Sequence, residues 1–483
     1  MRAAVLRGGD VREEARSIPV LAEADVVVAG GGECGYAAAI GSARAGAKTI
    51  LVERYGFLGG GLTASMARSG GWEHDEQGRQ IIGGVWQETK ERLVALGGCA
   101  GTMKYDGPIY GPNLPVPPMA TDTPFDSEVF KYVAAELVLE AGVELLLHAL
   151  IVGVVVEDGR VRGVIIEGKS GPAAVLGKVV VDATGDLDVC AAAGVPCQKG
   201  RESDGKFMGV TLHMDALGVQ QGPLWDYVQA NPDDVPRWAR LVPVGGGPLP
   251  PNVMVFPFCC LGFQSSMQAA KDRGELYFTK GELAIQPRIG PGHVRLNVTR
   301  VVVDPTEISG LTYAQVEMRK QAVSIMEFLR RRIPGFQAAY ISHTAPEIFV
   351  RESRRIIGDY VMTVDELMSP TEYPDWVVLG NQPVEVQNPD TGQREWQLPE
   401  HLYQVPYRIF HPTGVENLIV GSARALSVTH EVCAAFRKCP FTILIGQTAG
   451  IAAALSAQQG ITPRELDTQA IRDTLTGQGA MPS

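Results

Sequence analysis

The stretch Asp25-Val26-Val27-Val28-Ala29-Gly30-Gly31-Gly32-Glu33-Cys34-Gly35 decides how this chain reads. An alanine-rich run follows to Ala47, and Thr49-Ile50-Leu51-Val52-Glu53 closes the unit. The pattern is strand, glycine turn, helix, strand, acid. Gly30, Gly32 and Gly35 fit the spacing G-x-G-x-x-G. The first permits a tight turn, the second lets a pyrophosphate approach the backbone, and the third lets the helix sit close on the strand. The N–H groups that open the helix then face the phosphates. Glu53 lies 18 residues beyond Gly35, where a carboxylate can accept hydrogen bonds from ribose hydroxyls. The stretch is read as a dinucleotide site.

Outward from it, Gly59, Gly60 and Gly61 follow soon after Glu53 and Arg54. Backbone there can run close to a flat ligand with its N–H groups turned towards it. Residues 81–97 have helical spacing. The five prolines of 107–118 predict an irregular surface loop or lid. Asp126 is a plausible N-cap for a helix that Gly142 stops. Val143–Leu147 reads as a strand. Ile151–Val156 and Arg160–Glu167 alternate around Asp158-Gly159, a hairpin signal. Ala173–Val181 is a strand that runs into Asp182-Ala183-Thr184-Gly185-Asp186. Short strands are expected at Val253–Phe256 and Val294–Val303, and an amphipathic helix over Thr312–Arg332. From Pro406 the first pattern returns, with a strand at Asn417–Val420, a turn at Gly421-Ser422 and an Ala/Gly-rich helix over Pro440–Gln458. Residues 1–22 read as a leader strand or arm. The expected division is a nucleotide domain at 1–200 and 406–483, with a substrate domain inserted at 201–405.

The 483 residues predict more than one core. A net charge of -11 with no Lys/Arg-rich run argues against nucleic acid as a partner. Apolar runs such as Val152–Val156 are of strand length, so no membrane span is expected. The N-terminal residues lack an apolar signal core, and the eight cysteines show no framework spacing. A cytoplasmic protein is expected.

Four segments together resemble the bacterial FAD-dependent oxidoreductases of the glutathione-reductase-like fold. They are Val26–Glu53, Gly56-Phe57-Leu58-Gly59-Gly60, Val181–Asp186 and Asn417–Gly450. Arg351-Glu352-Ser353-Arg354-Arg355-Ile356-Ile357-Gly358-Asp359-Tyr360 also resembles a family segment, R-E-x-R-R-I-x-G-D-Y. The resemblance implies an α/β fold: a Rossmann-like FAD-binding domain with an inserted α+β substrate domain. It implies FAD with its pyrophosphate at Gly30, Gly32 and Gly35 and the ribose of the AMP half on Glu53, with Arg54 also binding the cofactor. It puts Gly59 and Gly60 beside the flavin side of the pyrophosphate and backbone near Val152 by the adenine. Thr184, Gly185 and Asp186 would lie close to the cofactor, and Gly421 and Ser422 near the ribityl chain. The helix from Pro440 would aim its positive end at the flavin, where reduction leaves negative charge. One departure stands out: Glu33-Cys34 replaces the usual Pro-Ala. A carboxylate beside a pyrophosphate is unfavourable unless it points away or meets a cation.

No second strand–G-x-G-x-x-G–helix unit is visible for NAD(P)H, and no cysteine or histidine spacing suggests a metal or an iron–sulfur cluster. For the chemistry, Thr429-His430-Glu431 offers His430 as a proton acceptor. Arg351 and Arg354 offer a clamp for an acidic group. Asn297 and Arg437 are further candidates to meet substrate. The expected function is oxidation of a small polar organic substrate by hydride transfer to flavin N5. A non-redox flavoenzyme and an electron-transfer subunit of a complex stay open as alternatives. So do the electron acceptor, among oxygen, a quinone and a partner protein, and self-association into a homo-oligomer.

Overall fold

Val26, Val27 and Val28 are all fully buried, which a strand achieves only when both its faces are covered. In a computed structural model, which describes residues 5–7, 10–12, 15–110, 117, 119–250, 253–277 and 282–482, the strand Val20–Ala29 is accordingly central. It pairs in parallel with Thr49–Val52 on one side and Gly171–Asp182 on the other. Glu144–Leu146 and Leu418–Val420 extend the parallel set at its two edges. This strand order is the doubly wound arrangement, in which nucleotides bind beyond the carboxyl ends of the strands. The expected hairpin forms from Leu150–Glu157 and Arg160–Gly168, with Asp158 and Gly159 at φ 48° and 75°. It pairs antiparallel with the start of Gly171–Asp182.

The helix Glu33–Arg44 packs on the helix Cys439–Gln459 through glycine. A Cβ on Gly446 would lie 2.1 Å from the Cys34 carbonyl oxygen, and one on Gly450 would lie 1.9 Å from that of Ala38. No side chain fits between these backbones, and this contact returns the C-terminal segment to the glycine turn. The 21-residue helix Cys439–Gln459 is long and apolar enough to cross a bilayer, yet 94% of its apolar window is buried in the protein. Gly460, at φ 67°, ends it as expected.

Eight antiparallel strands form the second sheet. Its strands between 214 and 344 fall inside the 201–405 span expected for the inserted domain, whereas the strands Trp376–Gly380 and Tyr403–Pro406 pack with the first core. Met103–Asp106 and Thr121–Asp122, assigned by sequence to the first segment, complete this second sheet instead. Strands of four and two residues carry too little pattern to show which sheet they join. The helix Ile308–Arg332 covers one face with Ala322, Ile325, Phe328 and Leu329. The other face, with Asn297, Gln286, Leu261 and Tyr105, floors a cavity. Adjacent strand residues alternate faces, so Cys259 and Cys260 are buried in different cores. Val253–Phe256 is not a strand; Val255 makes a single bridge to Ile289. Pro250, Pro251 and Pro257 flank it and cannot donate to a ladder. Most of the proline loop expected at 107–118, and residues 1–4, 8–9 and 13–14 of the expected leader, lie outside the described residues.

Candidate active site

A cleft of 920 Å³ lies beyond the carboxyl ends of the central strands. Gly30, Gly32, Glu53 and Arg54 line it, as do Gly60, Thr184, Gly185, Asp186 and Ser422. Three observations show that it fits a dinucleotide. Gly30 turns at φ 94°, where a Cβ would strike the Ala183 carbonyl oxygen at 2.6 Å. A Cβ on Gly32 would meet only Gly60 Cα, at 3.8 Å, so a side chain there would fill the cleft. No side chain caps the N-terminus of the helix Glu33–Arg44, which leaves its first N–H groups for a phosphate.

Glu53 accepts from Gly31 N–H at 2.6 Å on one oxygen and from Tyr55 N–H at 2.8 Å on the other. Each oxygen keeps a lone pair for a ribose hydroxyl. Burial pushes its pKa up. Asp186 accepts from the Ser353 hydroxyl at 2.6 Å and pairs with Arg424 at 2.8 Å. The Ser422 hydroxyl accepts Gly185 N–H at 3.0 Å. These bonds lace the strand end at 182–186, the 351–355 segment and the C-terminal turn into one wall.

Four expected cofactor residues do not line the cleft. Gly35 supports it: its Cβ would lie 1.8 Å from Gly30 O, so only glycine lets the helix approach. Gly59, at φ 103°, packs against Thr63 and Phe130, and Gly421 packs on Val181. Val152 has its side chain 53% exposed on the outermost strand of the meander; the backbone near it reaches the cleft at Ala149, whose N–H donates to the Glu53 carbonyl at 3.0 Å.

A chamber of 1090 Å³ opens beside the cleft, and the two share Glu33, Phe349, Arg351 and Arg437. Glu33 is the first residue of its helix and accepts from the Thr442 hydroxyl at 2.8 Å. Burial raises its pKa to about 7. The carboxylate thus turns to Thr442, and its raised pKa lowers its charge at and below neutral pH, both of which ease a position beside a pyrophosphate. Cys34 accepts Ala423 N–H at 3.5 Å, and burial raises its pKa to about 12, so it stays a thiol.

The chamber has an aromatic wall in which Tyr110 meets Trp396 edge-on at 5.2 Å, with Trp72 alongside. Glu385 pairs with Lys438 and, at 3.6 Å, with Arg394. These cations hold its pKa well below the usual carboxylate range. His213 donates from Nδ1 to the Ser65 carbonyl at 2.7 Å. Burial and Arg295 lower its pKa to about 3, so the ring stays neutral with Nε2 as an acceptor.

Of the residues expected to do chemistry, Arg351, Asn297 and Arg437 line the chamber. Two others are corrected. His430 lines neither cavity; it is buried, with Nδ1 on Glu352 at 2.9 Å in a network with Arg355. Arg354 points away, to the Asp186 carbonyl at 2.8 Å and to Asp188. Three arginines in five residues do not share a face on extended backbone. Sequence reading missed Glu385, Arg394 and Trp396 on the hairpin Val384–Gln387/Arg394–Gln397. The alternation around Asn388-Pro389-Asp390-Thr391-Gly392 was the available signal. His213, Trp72 and Lys438 sit on irregular segments or at helix ends and had none.

The model of the family described as "FAD dependent oxidoreductase" matches residues 25–475. A search of curated proteins finds no match. Solved structures similar to the chain include a geranylgeranyl bacteriochlorophyll reductase-like protein from Thermoplasma acidophilum, at 14% identity over 94% of this chain and 82% of that one, TM-score 0.49. A flavin-dependent brominase is 15% identical over 95% and 85%, TM-score 0.47. The p-nitrophenol 4-monooxygenase of Pseudomonas putida is 11% identical over 95% and 85%, TM-score 0.44.

Proposed function

The chain belongs to the FAD-dependent oxidoreductase family, and we propose that it is a dehydrogenase or oxidase acting on a small polar organic molecule held in the chamber. The observation that carries this reading is the shared wall: Glu33, Phe349, Arg351 and Arg437 border both the cofactor cleft and the chamber. Gly30 and Gly32 would hold the pyrophosphate and Glu53 a ribose, which would leave that wall for the flavin half. Bound FAD would supply the two-electron acceptor for a hydride from the substrate. The meander at 150–182, the added strand Leu418–Val420 and the helix Cys439–Gln459 on the first helix support assigning the nucleotide domain to the glutathione-reductase-like lineage.

The chain's own residues then have the following roles. Glu33 accepts the substrate's hydroxyl or amine proton; a pKa of about 7 suits a base that works near neutral pH. Arg351 and Arg437 orient the substrate at the wall. Neutral His213 offers Nε2 as a fixed acceptor, its tautomer set by Ser65. Phe349 and the aromatic wall keep water from the reacting carbon.

Anaerobic mixing of the FAD-loaded protein with alcohols, amines and hydroxy acids tests this. The flavin absorbance should bleach with one of these classes, and the rate should rise with pH up to about 7 and level off above. A flavin band that no compound bleaches, with ligand bound, contradicts the redox assignment.

A further inference from the structure

The chamber is lined by Arg68, Arg237, Arg351, Arg394, Arg437 and Lys438, against two acids, Glu33 and Glu385. Arg68 pairs with Asp122 at 3.4 Å and Arg237 with Glu282. Arg394 and Lys438 share Glu385. Among the described residues, no carboxylate lies within ion-pair distance of Arg351 or Arg437. Arg351 is 2% exposed, and its guanidinium donates only to the Gly209 carbonyl at 2.5 Å and the Thr211 hydroxyl at 2.8 Å. The Nε atoms of Arg351 and Arg437 are buried without a partner. So are two acceptors that line the same space, Asn297 Oδ1 and Gln286 Oε1.

Buried charge is costly unless paired, and buried donors and acceptors are costly unless bonded. The chamber therefore lacks two things at once: negative charge for its guanidinium groups and a donor for its amide oxygens. We infer that the substrate is a small carboxylic acid that also bears a hydroxyl or amino group, with the carboxylate among Arg351, Arg394 and Arg437 and the donor facing Asn297 and Gln286. This rests on the reading of the chamber as the substrate site. The cofactor does not account for the whole lack, because Asn297 and Gln286, with their unpartnered oxygens, line the chamber and not the cleft, as do Arg394 and Lys438, which share Glu385. Arg300 lies behind, its charge unmatched by a carboxylate among the described residues; its guanidinium bonds Gln387. Burial and repulsion from Arg300, Arg437 and Arg394 hold the Arg351 pKa well below its ordinary value. A carboxylate among them removes that repulsion and takes bidentate hydrogen bonds. The aromatic wall of Trp72, Tyr110 and Trp396 meets the carbon body.

The test is ligand binding to the FAD-loaded protein, read by flavin absorbance and tryptophan fluorescence. The probes are lactate, malate, mandelate, alanine and aspartate, the amide of each, and inorganic phosphate. At least one acid should bind, with its amide weaker by about 30-fold. Arg394→Gln should weaken the acid by about 30-fold and Arg394→Lys by less, since the lysine keeps the charge and loses the fork. Amides that bind as tightly as acids overturn the inference. So do phosphate as the sole binder, binding by no acid, and an unchanged affinity in a folded Arg394→Gln. Binding needs no turnover, so the two readings fail separately. An acid that binds without bleaching the flavin keeps the anion assignment and removes the redox one. A neutral alcohol that bleaches it while no acid binds does the reverse.

Discussion

The cleft and the chamber share a wall, yet they are built from different material. The cleft has a backbone floor: Gly30, Gly32, Gly60 and Gly185 present peptide groups, side chains such as Ser422 and Asp186 brace the turns, and Glu53, Arg54, Glu347 and Arg424 line the rest. The chamber is mostly side chains, drawn from the 67–72 loop, six strands of the second sheet, the 384–397 hairpin and the start of the helix Cys439–Gln459. Where backbone forms the floor, added side-chain bulk either clashes, as at Gly30, or fills the cleft, as at Gly32. A site made of charged side chains can be retuned one residue at a time. The two therefore answer mutation differently, and that difference can be measured.

The largest effect is expected at the glycines. Gly32→Leu should leave a folded protein that binds no FAD, because its side chain enters the cleft and strikes little else. Gly35→Ala should lose the fold as well, because its Cβ would meet Gly30 O at 1.8 Å. Flavin content after reconstitution, together with a thermal melt, separates the two. Next comes Glu33→Gln, which should slow anaerobic flavin reduction by about 10²-fold or more and flatten its pH profile. The same change should alter stability. The Glu33 pKa is raised in the folded state to about 7 from an ordinary 4.5. The folded protein thus holds the proton that the unfolded chain releases between these values, and stability falls as pH rises through that window. Glu33→Gln should remove that loss and stabilise the apoprotein at pH 8 by roughly 1–3 kcal/mol, as denaturant melts at pH 5 and pH 8 would show.

His430→Ala probes the corrected assignment. It should destabilise the protein by about 1–3 kcal/mol, as expected for a broken buried hydrogen bond to Glu352. The rate of flavin reduction per bound FAD should stay as in the parent, whereas a loss of rate out of proportion to stability would restore His430 to the chemistry. The smallest effect is expected at exposed Val152: Val152→Asp should change neither FAD affinity nor stability beyond about 0.5 kcal/mol.

The contrast also explains what could be read from the chain. Gly30, Gly32, Gly35 and Glu53 are legible because strand, turn and helix follow one another within 29 residues and each has a local pattern. The helix Cys439–Gln459 was legible as an Ala/Gly-rich helix, but the helix against which its glycines pack was not. The strand around Val152 was legible as half of a hairpin, but a strand pattern does not say which edge of the sheet it occupies. His430 failed because a histidine beside an acid looks the same whether it faces a cavity or, as here, a buried Glu352. The chamber was least legible: its cations become a cluster only after chain segments as distant as Arg68 and Lys438 fold together. Glu33 was read as an anomaly in the glycine motif, and only its position between two cavities turns that anomaly into a candidate base.

The most direct test of the central claim, that one reaction site spans the cleft and the chamber, is the crystal structure of the FAD-loaded protein. The account predicts the pyrophosphate over Gly30 and Gly32 and the flavin ring against Glu33, Phe349, Arg351 and Arg437, with one face open to the chamber. A flavin ring that lies elsewhere, or one walled off from the chamber by these four residues, would contradict it.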